Sequence, residues 1–184
     1  VGEAQRQLSQ IYRIDLAVRV ERFVMDSELA RELLASEQGA NPRSGLLVLE
    51  EADEAWVGLY VDPRDFRNAA TIIEETSHWF CVAWHAAQDR SISLLGLELQ
   101  AEIDRFAIER VEGRDGLQHL GEVAWGSWMD APTRERYRAA HHAARRYCRR
   151  LSGRYPDRAD TPGLLGELRR FYRAPLVEKL ALVA

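Results

Sequence analysis

Residues 66–111 read FRNAATIIEETSHWFCVAWHAAQDRSISLLGLELQAEIDRFAIERV, and their periodicity decides the fold. In the first half, Ile72, Ile73, Trp79, Phe80, Val82, Ala83, Trp84, Ala86 and Ala87 leave almost no polar face. A helix that is apolar nearly all round is a buried one, so residues 66–88 are expected as a core helix. Residues 92–111 are expected as a second helix, separated from the first near Asp89–Ser93. A break that short turns the second helix back along the first.

Upstream of Pro63 the apolar period is two. Tyr12, Ile14, Leu16, Val18 and Val20 are apolar, with Arg13, Asp15, Arg19 and Glu21 among them, which predicts a half-buried strand over 12–20. Asp26 reads as the N-cap of a short helix that turns Leu29, Leu33 and Leu34 inward and stops at Gly39 and Asn41-Pro42. Residues 46–50 and 55–61 follow as two strands, joined as a hairpin through the acidic cluster Glu50, Glu51, Asp53 and Glu54. Downstream lies a looser stretch with Gly113, Gly116, Gly121 and Gly126 and the exposed-looking Trp125 and Trp128. Pro132 then starts an Arg-rich helix to about Leu151, and helices at 163–173 and 175–182 complete the chain. This order predicts one α+β domain over 1–184, divided into parts 1–63, 64–112 and 113–184. A small antiparallel sheet of 12–20, 46–50 and 55–61 packs against a mainly helical C-terminal part.

Composition narrows the functional classes. The 184 residues are 46% hydrophobic and 29% charged, which excludes wholesale disorder. No apolar run is long enough to span a membrane, and nothing near Val1 reads as a signal peptide. Cys81 and Cys148 lie in unrelated contexts, so no disulfide framework is expected and the expected compartment is cytoplasmic. Nine arginines crowd residues 132–158 against only Glu135 and Asp157, while the remainder of the chain is acidic. That helix is either a solvated face docked beside its own acidic half or, like the hairpin edge, a surface for a protein partner. Aromatic interleaving for base stacking is thin, so a nucleic-acid partner is not expected.

The core helix carries Glu74-Glu75-Thr76-Ser77-His78. Glu74 and His78 are four residues apart and project from one face; Glu98 and Glu102 repeat that spacing on the next helix, with Arg105 a turn further on. An antiparallel pair brings Glu98 back towards Glu74 and His78. Buried ionisable groups need partners, because an unpaired buried charge costs several kcal/mol. Two outcomes satisfy them: a divalent ion shared by Glu74, His78 and Glu98, or a metal-free polar cluster balanced by Arg105 or another arginine.

This helix pair resembles the active-site helices of the gluzincin metallopeptidases, the thermolysin-type zinc enzymes. Their motif is H-E-x-x-H with a third ligand Glu about twenty residues later on the next helix. Glu98 lies twenty residues after His78, and Glu74 stands where the family has its first His, giving E-E-x-x-H. The resemblance implies a zincin-like fold with zinc or another divalent metal on Glu74, His78 and Glu98. It further implies Glu75 as general base towards a water nucleophile and Glu102 as a support behind the ligands. Glu75-x-x-His78 also matches the motif of ferritin-like di-iron proteins, but that fold needs a second copy. His141 and His142 have Arg138 and Ala139 three residues before them instead. Trp79 and Trp84 are expected in the core, the Cys81 thiol as inert, and His119, in a polar loop, as merely solvated.

Overall fold

The computed structural model describes residues 1–38, 42–51, 54–121 and 129–184. The expected helix stop at Gly39 and Asn41, the hairpin-tip residue Asp53, and Trp125, Gly126 and Trp128 lie outside the described residues. In chain order the elements are α1 (Gly2–Tyr12), α2 (Ser27–Gln38), β1 (Gly45–Glu51), β2 (Glu54–Tyr60), α3 (Ala69–Ala86), α4 (Leu94–Val111), α5 (Ala131–Arg154), α6 (Thr161–Arg173) and α7 (Leu176–Val183). The chain is mostly helical with one small antiparallel sheet, an α+β arrangement.

Helices α3 and α4 form the centre. Asn68 and Ser93 cap them, their side chains accepting from the backbone N–H groups of Thr71 and Gly96. Between them Asp89 takes a left-handed backbone (φ 49°), and the N–H of Arg90 donates to the His85 carbonyl at 3.0 Å. That tight reversal lays α4 antiparallel along α3. Gly113, also left-handed at φ 80°, follows the end of α4. On this pair pack α1 and α5, with α6 against α1 and α7 against α5. The core is built on Leu8, Phe80, Leu99, Ile103, Phe106, Tyr147, Leu168 and Phe171, all buried.

The hairpin has the expected register, with Val48 opposite Val57 and Leu49 opposite Trp56. It covers a small separate cluster of Met25, Ala30 and Tyr60, against which Leu33 packs. Leu29, expected inward, is exposed. Asp26 caps α2 by accepting from Glu28 and Leu29 N–H groups at 2.9 Å. Pro132 stands in the first turn of α5, behind the cap Asp130.

The predicted strand over 12–20 does not form. Residues 2–12 are helical instead, 13–19 are irregular, and a 3₁₀ turn occupies Val20–Phe23. Alternation is half real, since Ile14 and Val20 are buried while Val18 is exposed. The backbone here finds partners other than a neighbouring strand. Gln5 donates to the Val18 carbonyl at 3.0 Å and accepts from the Val20 N–H at 2.9 Å. Arg169 and Arg173 donate to the carbonyls of Ile11 and Tyr12 at 2.7 and 2.8 Å. The sheet therefore has two strands, and the described residues add to it an isolated bridge from Val24 to Leu59.

Behind the central pair lies a buried polar network. Asp104 has no exposed surface; Tyr12 and Ser77 donate to it at 2.5 Å each and Gln100 at 2.7 Å. Gln100 in turn accepts from Lys179 at 2.8 Å, and that ammonium sits over the rings of Phe171 and Tyr172. Burial pushes the Asp104 carboxyl up to about 6 in spite of its three donors, and pulls Lys179 below its ordinary value. The nearby Cys81 thiol is pushed up to about 12, again by burial, so it stays a thiol at neutral pH. Asp104→Leu is expected to destabilise by about 3 kcal/mol, because three buried donors lose their acceptor, whereas Tyr12→Phe should cost about 1 kcal/mol. Urea denaturation of the two variants checks the ratio.

Candidate metal centre

A face of α3 turned by up to about 100° from Ser77 points towards a cleft. Helical phase puts Glu74 and His78 on it together, and the reversal at Asp89 brings Glu98 of α4 against them. Each of the three offers a ligand atom, and these atoms lie within 4.8 Å of one another. The imidazole of His78 stands between two carboxylates: Nε2 is 3.4 Å from Oε2 of Glu98, and Nδ1 is 3.6 Å from Oε2 of Glu75. His78 Nε2 and Glu75 Oε2 are both buried and make no hydrogen bond.

Charge is distributed unevenly. Burial pushes the Glu74 carboxyl up to about 7, with the neighbouring charge of Glu75 adding to it. At His78 burial disfavours the imidazolium, but the carboxylates at its two ring nitrogens outweigh it and raise the group to about 10. From α5, Arg136 approaches Oε1 of Glu98 at 3.8 Å, which makes it, rather than Arg105, the arginine facing the cluster. Beside it Tyr137 is held well above its ordinary value by burial and by the charges of Glu98, Glu74 and Glu75. Glu74 and Glu98 line a cleft of about 760 Å³, together with Thr71, Glu75, Ala101, Glu102 and Tyr137, while His78 lies buried behind them.

Of the five site residues read from the sequence, Glu74, His78 and Glu98 converge. Glu75 sits behind His78 on the Nδ1 side while also lining the cleft. Glu102, one turn after Glu98, takes other partners. His141 Nδ1 is 2.8 Å from its Oε1, and His119 Nε2 is 3.4 Å from its Oε2. His141 Nε2 faces the Gly121 carbonyl at 3.0 Å, so both of its ring nitrogens face acceptors. His119, expected to be solvated, has a side chain only 2% exposed, wedged between Glu102 and Glu109. Glu102 reaches both histidines across 17 and 39 residues, and no periodicity of the sequence connects them. The one visible signal was the presence of unassigned histidines in an acidic chain.

Two carboxylates and one imidazole form an oxygen-rich donor set that suits zinc, manganese or iron. The orphaned, buried Nε2 of His78 beside the Glu98 carboxylate fits a ligand nitrogen, so the residues present suit a divalent ion. No family model matches the chain, and no curated protein or solved structure matches it.

The Glu102–His141 pair has a pH signature. At Glu102 burial opposes ionisation, but the hydrogen bonds from His119 and His141 prevail and lower its carboxyl to about 2. Its stabilisation is present above the ordinary value of 4.5 and is lost as pH falls through about 2. His141 is raised, first by the hydrogen bond to Glu102, so its share is complete below 6.5 and is lost as pH rises through its folded value. Glu102→Gln is expected to cost about 2 kcal/mol between these limits and less on either side. Thermal or urea unfolding of both proteins across pH checks this.

Proposed function

We propose that this chain is a zincin-like metal-dependent hydrolase of peptidase type, with the ion held by Glu74, His78 and Glu98. The observation that carries the reading is the convergence of three ligand atoms within 4.8 Å at the wall of a cleft. Three protein ligands beside open space is the arrangement of a catalytic rather than a structural site. When bound, a divalent ion supplies Lewis acidity, polarising a substrate carbonyl and lowering the pKa of water.

The chain's own groups divide the remaining work. Glu75, 3.6 Å from Nδ1 of His78, fits a carboxylate that holds the ligand imidazole in one tautomer and orientation. That is a positioning role, and it differs from the base role implied by the resemblance. Glu102, kept ionised between His119 and His141, lines the same cleft as a fixed negative charge. Arg136 offsets the negative charge of Glu98 from the α5 side. The buried pairing of His78 with two carboxylates also supports a second reading, a non-catalytic interaction module that keeps the cluster as a metal-free polar core.

Metal titration separates these readings. Addition of zinc or manganese is expected to raise the Tm of the wild type, and Glu74→Ala, His78→Ala and Glu98→Ala should each abolish that rise. Glu75→Gln distinguishes the two roles of that residue: a positioning carboxylate predicts metal affinity lower by about 10- to 100-fold. A general base predicts metal affinity unchanged and peptide hydrolysis lost. A wild type whose Tm does not respond to any divalent ion is the result expected of the metal-free module.

A further inference from the structure

The stripe of α4 that supplies Glu98 continues along the cleft as Glu102 and Arg105 and beyond it as Glu109, each three or four residues beyond the last. Glu98, Glu102 and Arg105 all line the cleft, so this one stripe carries a metal ligand, a buffered carboxylate and a cation in series. Glu109 holds Arg105 by its Nε at 3.4 Å, leaving the two terminal nitrogens of a half-buried guanidinium without a partner among the described residues. Arg64 also lines the cleft and is likewise gripped by a carboxylate. Asp62 takes its Nε at 2.9 Å and one terminal nitrogen at 2.5 Å, and the other terminal nitrogen is left without a partner among the described residues. Arg43 lines the same cleft.

The carboxylates around the cleft have partners within the protein, so it is the orientation of the arginine donors, and not an excess of positive charge, that would select a ligand. Asp65 accepts from Ser44, Glu102 is flanked by two histidines, Glu75 faces His78, and Asp62 and Glu109 grip the arginines themselves. A guanidinium gripped on its Nε edge presents a pre-set pair of donors, the geometry suited to a planar or tetrahedral oxyanion.

We infer that the cleft selects ligands carrying an oxyanion, carboxylate or phosphate, which Arg105 clamps with Arg64 at the rim while the reacting group lies at the metal trio. This rests on the metal reading for the second half of the ligand and on the arginines alone for the first. Seven residues of helix separate Glu98 from Arg105, a rise of about 10 Å, so α4 acts as a ruler between ion and anion. Arg105 is thus a specificity-determining residue, and the favoured ligands have their charge about 10 Å from the reacting bond.

A series of α,ω-dicarboxylates from succinate to sebacate, titrated calorimetrically into manganese-loaded protein, reads this ruler. One carboxylate reaches the ion and the other the clamp only when the span is right, so affinity is expected to pass through a maximum among the longer acids. Arg105→Gln should remove the maximum and weaken its best ligand by about tenfold or more, with manganese affinity unchanged. Arg105→Lys should restore it in part. Arg64→Gln, at a side chain 76% exposed, should weaken the same ligand to a smaller degree. Methylphosphonate against the same proteins tells a phosphate preference from a carboxylate preference. Affinity that is flat with length, or that is equal in wild type and Arg105→Gln, overturns the clamp and leaves the metal reading standing. If manganese does not bind, the metal reading fails. Methylphosphonate binding to the metal-free protein then decides the clamp: weakening by Arg105→Gln supports it, and equal binding overturns it.

Discussion

Asp104 is fully buried, and the three side chains that donate to it come from α1, α3 and α4. A carboxylate in that position is stable only if all its donors arrive together, so the bond from Ser77 fixes how α3 is rotated against α4. His78 is the next residue after Ser77, about 100° around the helix, and Glu74 lies one turn before it. Rotation of α3 by one residue would put Thr76 or His78 where Ser77 meets Asp104 and turn the cleft face away from Glu98. The hidden network and the open cleft are therefore two sides of one helical phase. The network is a closed set of hydrogen bonds, while the cleft side carries polar atoms that the protein leaves without hydrogen bonds, Nε2 of His78 and Oε2 of Glu75.

The arginines of α5 show how a strongly basic helix is accommodated in a chain whose net charge is −4. Arg136 turns towards Glu98, Arg134 donates to the Met129 carbonyl, Arg146 donates to the Val183 carbonyl of α7, and Arg154 pairs with Glu167 of α6. Guanidinium groups serve here as multi-donor ties to carbonyls and carboxylates of neighbouring elements, which a compact ammonium does less well. Arg169 and Arg173 of α6 do the same for the end of α1.

What could be read from the sequence follows the range of the interactions involved. The central helices, the hairpin, the cap Asp26 and the helix start at Pro132 depend on neighbours a few residues away, and local pattern reveals them. Glu74, His78 and Glu98 were also legible, because two helical phases and one short reversal suffice to bring them together. The segment 12–20 was misleading for a physical reason. Apolar alternation reports burial on one side of an extended chain, and it says nothing of whether the hydrogen-bond partners are a strand or the side chains of Gln5, Arg169 and Arg173. His119 and His141 were hidden because only the packing of α5 and the preceding loop against α4 gives them Glu102 as a partner.

Lys179 is the single lysine among these 184 residues, and it is 3% exposed, its ammonium bonded to Gln100 beneath α7. The folded chain consequently presents no lysine side chain to acylating reagents, aldehydes or enzymes that conjugate through amines. Every opening of α7 would uncover one, and the freed amine, no longer held down by burial, would return to the ordinary lysine pKa and react as a surface lysine does. The slow acylation of this one residue would keep a chemical record of how often the C-terminal helix leaves its seat.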